Sequence, residues 1–399
     1  MSSKKISLLL AAGLLLGVPA ISQGSVAKVG AKCTKVNAVF GSLICKKVGN
    51  KLVWQKKVAA KPSPSASPTA SAIPTPSPSA SPTPTPTPEP TGPSSPITFD
   101  NLDLKWTTVV ARQNLAQEFS KLSQPKSTAI FHIAPNVRED LVTEEKRLIA
   151  IAERMFSGYF SPTKYDIVMY SEKDGTWADQ EIANLVNFPP TISKDIASNP
   201  RECNSAGALI NKDGGPVYQM CIDTGGRGIN DKQTSIHEYF HLVQFKHSLF
   251  DMACWMVEGS ATYFGVALGV DGTDPTGKST TTFLNQLVGQ YNPGGPRNGG
   301  SASKLREKLS TNSGLLEVLH ALEVKPDQTV DCPSLGAYSV GAVVTEALIA
   351  VKGYKTYMDF VATFPAKNDW KLEFKKAYEL TPDEFYLKLA PYLRARLAG

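Results

Sequence analysis

The chain has 399 residues, 42% of them apolar, which is enough for one or two folded domains and excludes a chain disordered throughout. Its net charge of +6 is unevenly spread, because residues 25–61 hold nine lysines and no acid. With those lysines, Lys4, Lys5 and Glu89 set aside, residues 97–399 carry −4.

Lys4 and Lys5 precede an apolar run over residues 6–20, and small and polar residues follow. This is the layout of a secretory signal peptide, residues 1–24, with cleavage expected within 22–25. The run is shorter than the ~20 residues that span a bilayer, and no later segment reads as transmembrane. The mature protein is therefore expected to be soluble, secreted or associated with the cell surface, where nucleic acid is not an expected partner. Six cysteines suit that compartment. None shows C-x-x-C spacing, so local structural bridges are expected: Cys33 with Cys45, Cys203 with Cys221, and Cys254 with Cys332.

Residues 25–61 form a small basic unit, GAKCTKVNAVFGSLICKKVGNKLVWQ at its centre, with short apolar runs around Gly and Asn. Two or three short strands stapled by Cys33 and Cys45 are expected, since so few residues cannot build a stable core unaided. The unit resembles the short Cys-Gly-Trp modules that precede Pro-rich stalks in exported proteins, on Cys33, Gly41, Cys45 and Trp54. Its charge suits an anionic cell-surface polymer as well as it suits plain solvation. Residues 62–96 hold 13 of the 29 prolines among Ser, Thr and Ala. They are expected to form a disordered, extended spacer of up to ~3.1 Å per residue.

Over residues 97–399 the pattern mixes strand and helix. STAIFHIAP (127–135), YDIVMYS (165–171) and PVYQMCID (216–223) read as strands, with a helix near 144–160 between the first two. After Thr234 nearly everything reads as helix, including 301–324 and 340–352. Strands early and helices late predict an α+β fold.

The stretch SIHEYFHLVQFKH (235–247) holds three of the five histidines. It lacks Gly and Pro and has helical apolar spacing. At about 100° per residue, His237 and His241 fall one turn apart on one face, within reach of a single ion. Glu238 stands beside them, where a base acting on water at that ion belongs. Two third ligands compete. His247 occupies the place of a third histidine in H-E-x-x-H-x-x-G-x-x-H, but the glycine that must break the helix there is Gln244, a good helix former. If the helix continues, His247 lies about 240° round from His241 and points away. The other candidate is Glu258 in ACWMVEGSATYF, which opens a second helical run after a loop-like interval. Two imidazoles and one carboxylate leave a fourth position open, as catalytic zinc requires. Gly259 and Ala261 beside it suit close helix contact.

With His237-Glu238-x-x-His241-x-x-Gln244 followed by Trp255-x-x-Glu258-Gly259-x-Ala261-x-Tyr263, the chain resembles the gluzincin zinc peptidases, in particular their peptidase MA-like members. The resemblance covers residues 218–263 in motif and about 98 to the end in architecture. It implies a zincin-like domain with an N-terminal mixed sheet and a mostly helical second part. It implies Zn2+ held by His237, His241 and Glu258, with Glu238 as general base and a peptide or protein as substrate. It also implies that the strand near 217–222 is the sheet edge along which that peptide lies. An oxyanion donor is needed as well; of His320, Tyr338, Tyr354 and Tyr357, the favoured choice is Tyr338 in GAYSVG, a Y-x-x-G before an apolar helix. His132 and His320 read as structural. No G-x-M-E-N aminopeptidase segment is found, which tilts the expectation towards an endopeptidase. The alternative expectation is a zincin-like binding or adhesion protein without turnover.

Overall fold

The computed structural model describes residues 39–40, 43–48, 51–56, 92–198, 203, 206–222, 232–270, 307–325, 332, 335–364 and 369–398. The signal segment and most of the spacer lie outside these residues. Contacts divide the chain into a unit within Gly17–Pro90 and one from Thr91 onward. In the first, β1 (Val39–Phe40), β2 (Leu43–Val48) and β3 (Lys51–Lys56) form an antiparallel sheet in that order. Cys45 faces Trp54 across it and is buried and disulfide-bonded; Cys33 lies outside the described residues. Lys46, Lys47 and Lys51 are exposed.

The second unit begins with α1 (Thr107–Lys121), β4 (Ala129–Ile133), α2 (Glu139–Phe156), β5 (Tyr165–Tyr170), α3 (Gly175–Leu185) and α4 (Ile192–Ser198). It continues with β6 (Ala206–Ile210), β7 (Pro216–Cys221), α5 (Thr234–Lys246) and α6 (Cys254–Phe264). A π-helical turn, Gly265–Val270, extends α6. The last four helices are α7 (Asn312–Ala321), α8 (Leu335–Ala362), α9 (Trp370–Tyr378) and α10 (Pro382–Ala398). The fold is mixed helix and sheet, compatible with α+β.

The sheet order is β4-β5-β7-β6, with β4, β5 and β7 parallel and β6 antiparallel to β7. The unbroken run YDIVMY forms β5, buried along its whole length, as expected for a strand covered on both faces. Ile167, Met169, Tyr218 and Met220 share a core with α2, α5 and α6 on one face. Val168, Tyr170, Val217 and Cys221 pack with Ala178 and Ile182 of α3 on the other. Asp166 is the acid in β5; its Oδ1 lies 3.0 Å from His132 Nε2, whose Nδ1 is 2.6 Å from Glu181 of α3. His132 thus joins strand to helix, in keeping with a structural role.

One expectation is corrected here. The strand at 216–221 is not a sheet edge, because β5 and β6 flank it. Among the described residues the edges are β4 and β6, and β6 was not expected because AGALI is short, is mostly Ala and Gly, and has a single β-branched residue, Ile210, and no aromatic one. Two residues of its connection to β7 shape the turn: Gly214 takes a left-handed φ of 81°, and Asn211 Oδ1 accepts from the Asp213 and Gly215 amides at 3.0 and 2.7 Å. Helices α1, α3 and α4 were not expected either, so helices are interleaved with the strands and not confined to the later half.

The cysteine pairs Cys203–Cys221 and Cys254–Cys332 are disulfides. The second joins the first residue of α6 to the chain just before α8. Helix α8 breaks at Gly353, with φ 83°. Before that break it packs closely on α6: a methyl on Gly259 would lie 2.2 Å from the Gly341 carbonyl carbon.

Candidate metal centre

Helix α5 is buried at every position from Thr234 to Gln244, so its polar side chains must find partners within the protein. It runs antiparallel to α6. Gln244, near the end of α5, donates to Met256 O and Val257 O in the first turn of α6 at 3.1 and 3.0 Å. At the opposite end, a methyl on Gly269 would lie 1.7 Å from Lys232 O, so backbone meets backbone there.

This pairing places Glu258 over the histidine face of α5. His237 Nε2 and His241 Nε2 lie 3.0 Å apart, and Glu258 Oε2 lies 3.5 Å from each. The three residues are 9%, 8% and 8% exposed. Glu258 Oε2 is buried without a hydrogen-bond partner. Three lone-pair donors therefore converge on one point from two helices.

The triangle fits a metal ion. Donors at about 2.0–2.2 Å from a tetrahedral ion stand roughly 3.3–3.6 Å apart, close to the separations observed. Electrostatics couple the three residues. Burial opposes charge on His241, but the Glu258 carboxylate, with Glu238 and Gln244, raises its pKa to about 9. Burial likewise opposes charge on Glu258, yet the two imidazoles hold it far below the usual carboxylate range. Carboxylate and imidazoles thus favour each other's charged forms, so the group favours positive charge beside Glu258.

Glu238 follows His237 on α5 and is 6% exposed; its negative charge acts on both His241 and Tyr218. Tyr338 stacks on His237, ring centroids 5.9 Å apart and planes within 3°. It lies inside α8 and not ahead of it, so GAYSVG is helix and Gly341 is a contact glycine. Tyr354 donates to Met155 O at 2.8 Å and Tyr357 pairs with Ser260, away from the triangle. His247 caps the C-terminus of α5 and bonds Tyr159 O at 3.1 Å, outside the ligand group.

His320, Glu323 and Asp383 form a second group of potential ligands. His320 and Asp383 are largely exposed, and the Glu323 oxygens are engaged by Tyr386 and Lys371. No protein-family model matches the chain, and no curated protein or solved structure does either.

Proposed function

We propose that the protein is an exported zinc-dependent peptidase of gluzincin type, with a zincin-like fold. The observation that carries this reading is the convergence of His237 Nε2, His241 Nε2 and the partnerless Glu258 Oε2, contributed by two helices, beside Glu238. His237, His241 and Glu258 would hold the zinc, which when bound would supply Lewis acidity and lower the pKa of water. Glu238 would act as the general base, taking a proton from the attacking water and passing it to the leaving nitrogen. The Tyr338 hydroxyl donates to the developing oxyanion. The free edge of β6, next to α5, offers backbone groups to an extended peptide. The lysines of the first unit would hold the protein near an anionic cell-surface polymer.

Metal analysis of the full chain, coupled to hydrolysis of an unfolded protein with a chelator control, tests the assignment. About one zinc per chain is expected, with most of it lost in Glu258→Ala. Zinc uptake without chelator-sensitive hydrolysis would instead favour a binding protein that retains the fold.

A further inference from the structure

Gln244 sits three residues after His241, on the same face of α5, and is fully buried. Its side chain makes three hydrogen bonds. His241 Nδ1 lies 2.7 Å from its Oε1, and its amide nitrogen reaches Met256 O and Val257 O. Carbonyl oxygens only accept, so the nitrogen end of the amide must face α6 and the oxygen end must face His241. Nδ1 of His241 therefore carries the hydrogen and donates it. In the neutral imidazole the remaining lone pair is then on Nε2, which faces His237 and Glu258.

His237 has no comparable support, since Thr262 Oγ1 stands 3.5 Å from its Nδ1 and its ring is steadied by stacking on Tyr338. The two acceptors on α6 immediately precede Glu258. One amide thus fixes the tautomer of one ligand and the position of the helical turn that carries another.

We propose that Gln244 is a positioning residue for the metal centre: it holds His241 with Nε2 free for the ion and couples that ligand to Glu258 through the first turn of α6. This inference rests on the zinc reading above. It assigns to an uncharged amide the outer-shell task that a carboxylate or a backbone carbonyl usually performs for a metal-binding histidine. Because the amide both accepts and donates, no other side chain of similar length replaces both functions.

The full chain, stripped with a chelator, is titrated with zinc against a chromogenic competitor and separately loaded with Co2+ for its visible spectrum. Gln244→Met keeps the length but neither function. It is expected to weaken zinc binding about 10–100-fold and to alter the Co2+ bands, with circular dichroism showing an intact fold. Gln244→Glu keeps an oxygen for His241 Nδ1 but loses the donor to Met256 O and Val257 O, and is expected to recover part of the affinity lost in Gln244→Met. A folded Gln244→Met with wild-type zinc affinity and an unchanged Co2+ spectrum overturns the proposal; failure of Gln244→Glu to recover affinity overturns its imidazole half.

If Gln244→Met does not fold, 15N-histidine-labelled wild-type protein decides. In zinc-free protein, at a pH where the 15N shifts show His241 to be neutral, protonated Nδ1 is expected and protonated Nε2 overturns the tautomer assignment. A wild-type chain that binds no zinc defeats the metal reading alone, and the tautomer measurement still judges Gln244.

Discussion

At the scale of single residues, neighbours in one motif have separate tasks. Glu238 follows His237 on α5 but lies outside the triangle, so on the proposed reading Glu238→Gln should retain zinc while lowering hydrolysis by about 10²–10⁴-fold, as loss of a general base does. Unchanged hydrolysis in that variant would remove it from the mechanism. His247 illustrates the opposite case, a histidine of the same stretch with a structural contact. Burial is the main cause of its lowered pKa, aided by Lys246 and opposed by its bond to Tyr159 O. Since the folded value lies below the unfolded one, its contribution is fully present above the unfolded pKa and is lost as pH falls through the folded value. His247→Gln should leave zinc content unchanged and reduce the fall in melting temperature between neutral and mildly acidic pH. In the sequence Gln244 was legible as a helix former and as a member of the motif that carries the resemblance, but not by its bonds. Its offset of three from His241 placed it on the right face, but its partners are carbonyls twelve and thirteen residues away.

At the scale of elements, the local pattern was informative where periodicity was strong. Strands β4, β5 and β7 and helices α2, α5 and α6 follow from their apolar spacing. The small-residue strand β6 carries too little signal, and its identity comes from pairing with β7. Gly259 and Gly341 show how packing converts a neutral residue into a determinant. A methyl on Gly341 would lie 2.4 Å from Trp255 O, so Gly341→Ala must push α6 and α8 apart. One of those helices carries Glu258 and the other Tyr338. We expect a loss of about 1–3 kcal/mol in urea unfolding, accompanied by weaker zinc binding; wild-type values for both would show that the helices adjust without cost.

At the scale of the whole molecule, the later helices are tied by a buried charge pair. Arg396 of α10 lies 2.7 Å from Glu346 of α8, both inaccessible, and Arg396 also bonds Tyr392 and reaches Thr108 of α1. Arg396→Met would leave Glu346 buried without its counter-charge and should cost about 3–5 kcal/mol. Adding Glu346→Leu should restore much of that stability. If the double variant were no more stable than the single one, the cost would lie in lost packing and not in the orphaned charge.

The sequence alone determined the period of the helices, the two-histidine face of α5 with Glu238 beside it, and the turn of the chain towards α6. These depend on residues within one or two helical turns of each other, where spacing sets direction. Tertiary structure decided between the two candidates that the sequence offered, bringing Glu258 and not His247 to the histidine pair, and it alone showed that Gln244 bonds both helices and that β6 is an edge among the described strands. Those outcomes depend on how α5, α6 and α8 pack. Their separation is set by backbone contacts at Gly259, Gly269 and Gly341, between residues as much as 86 positions apart along the chain.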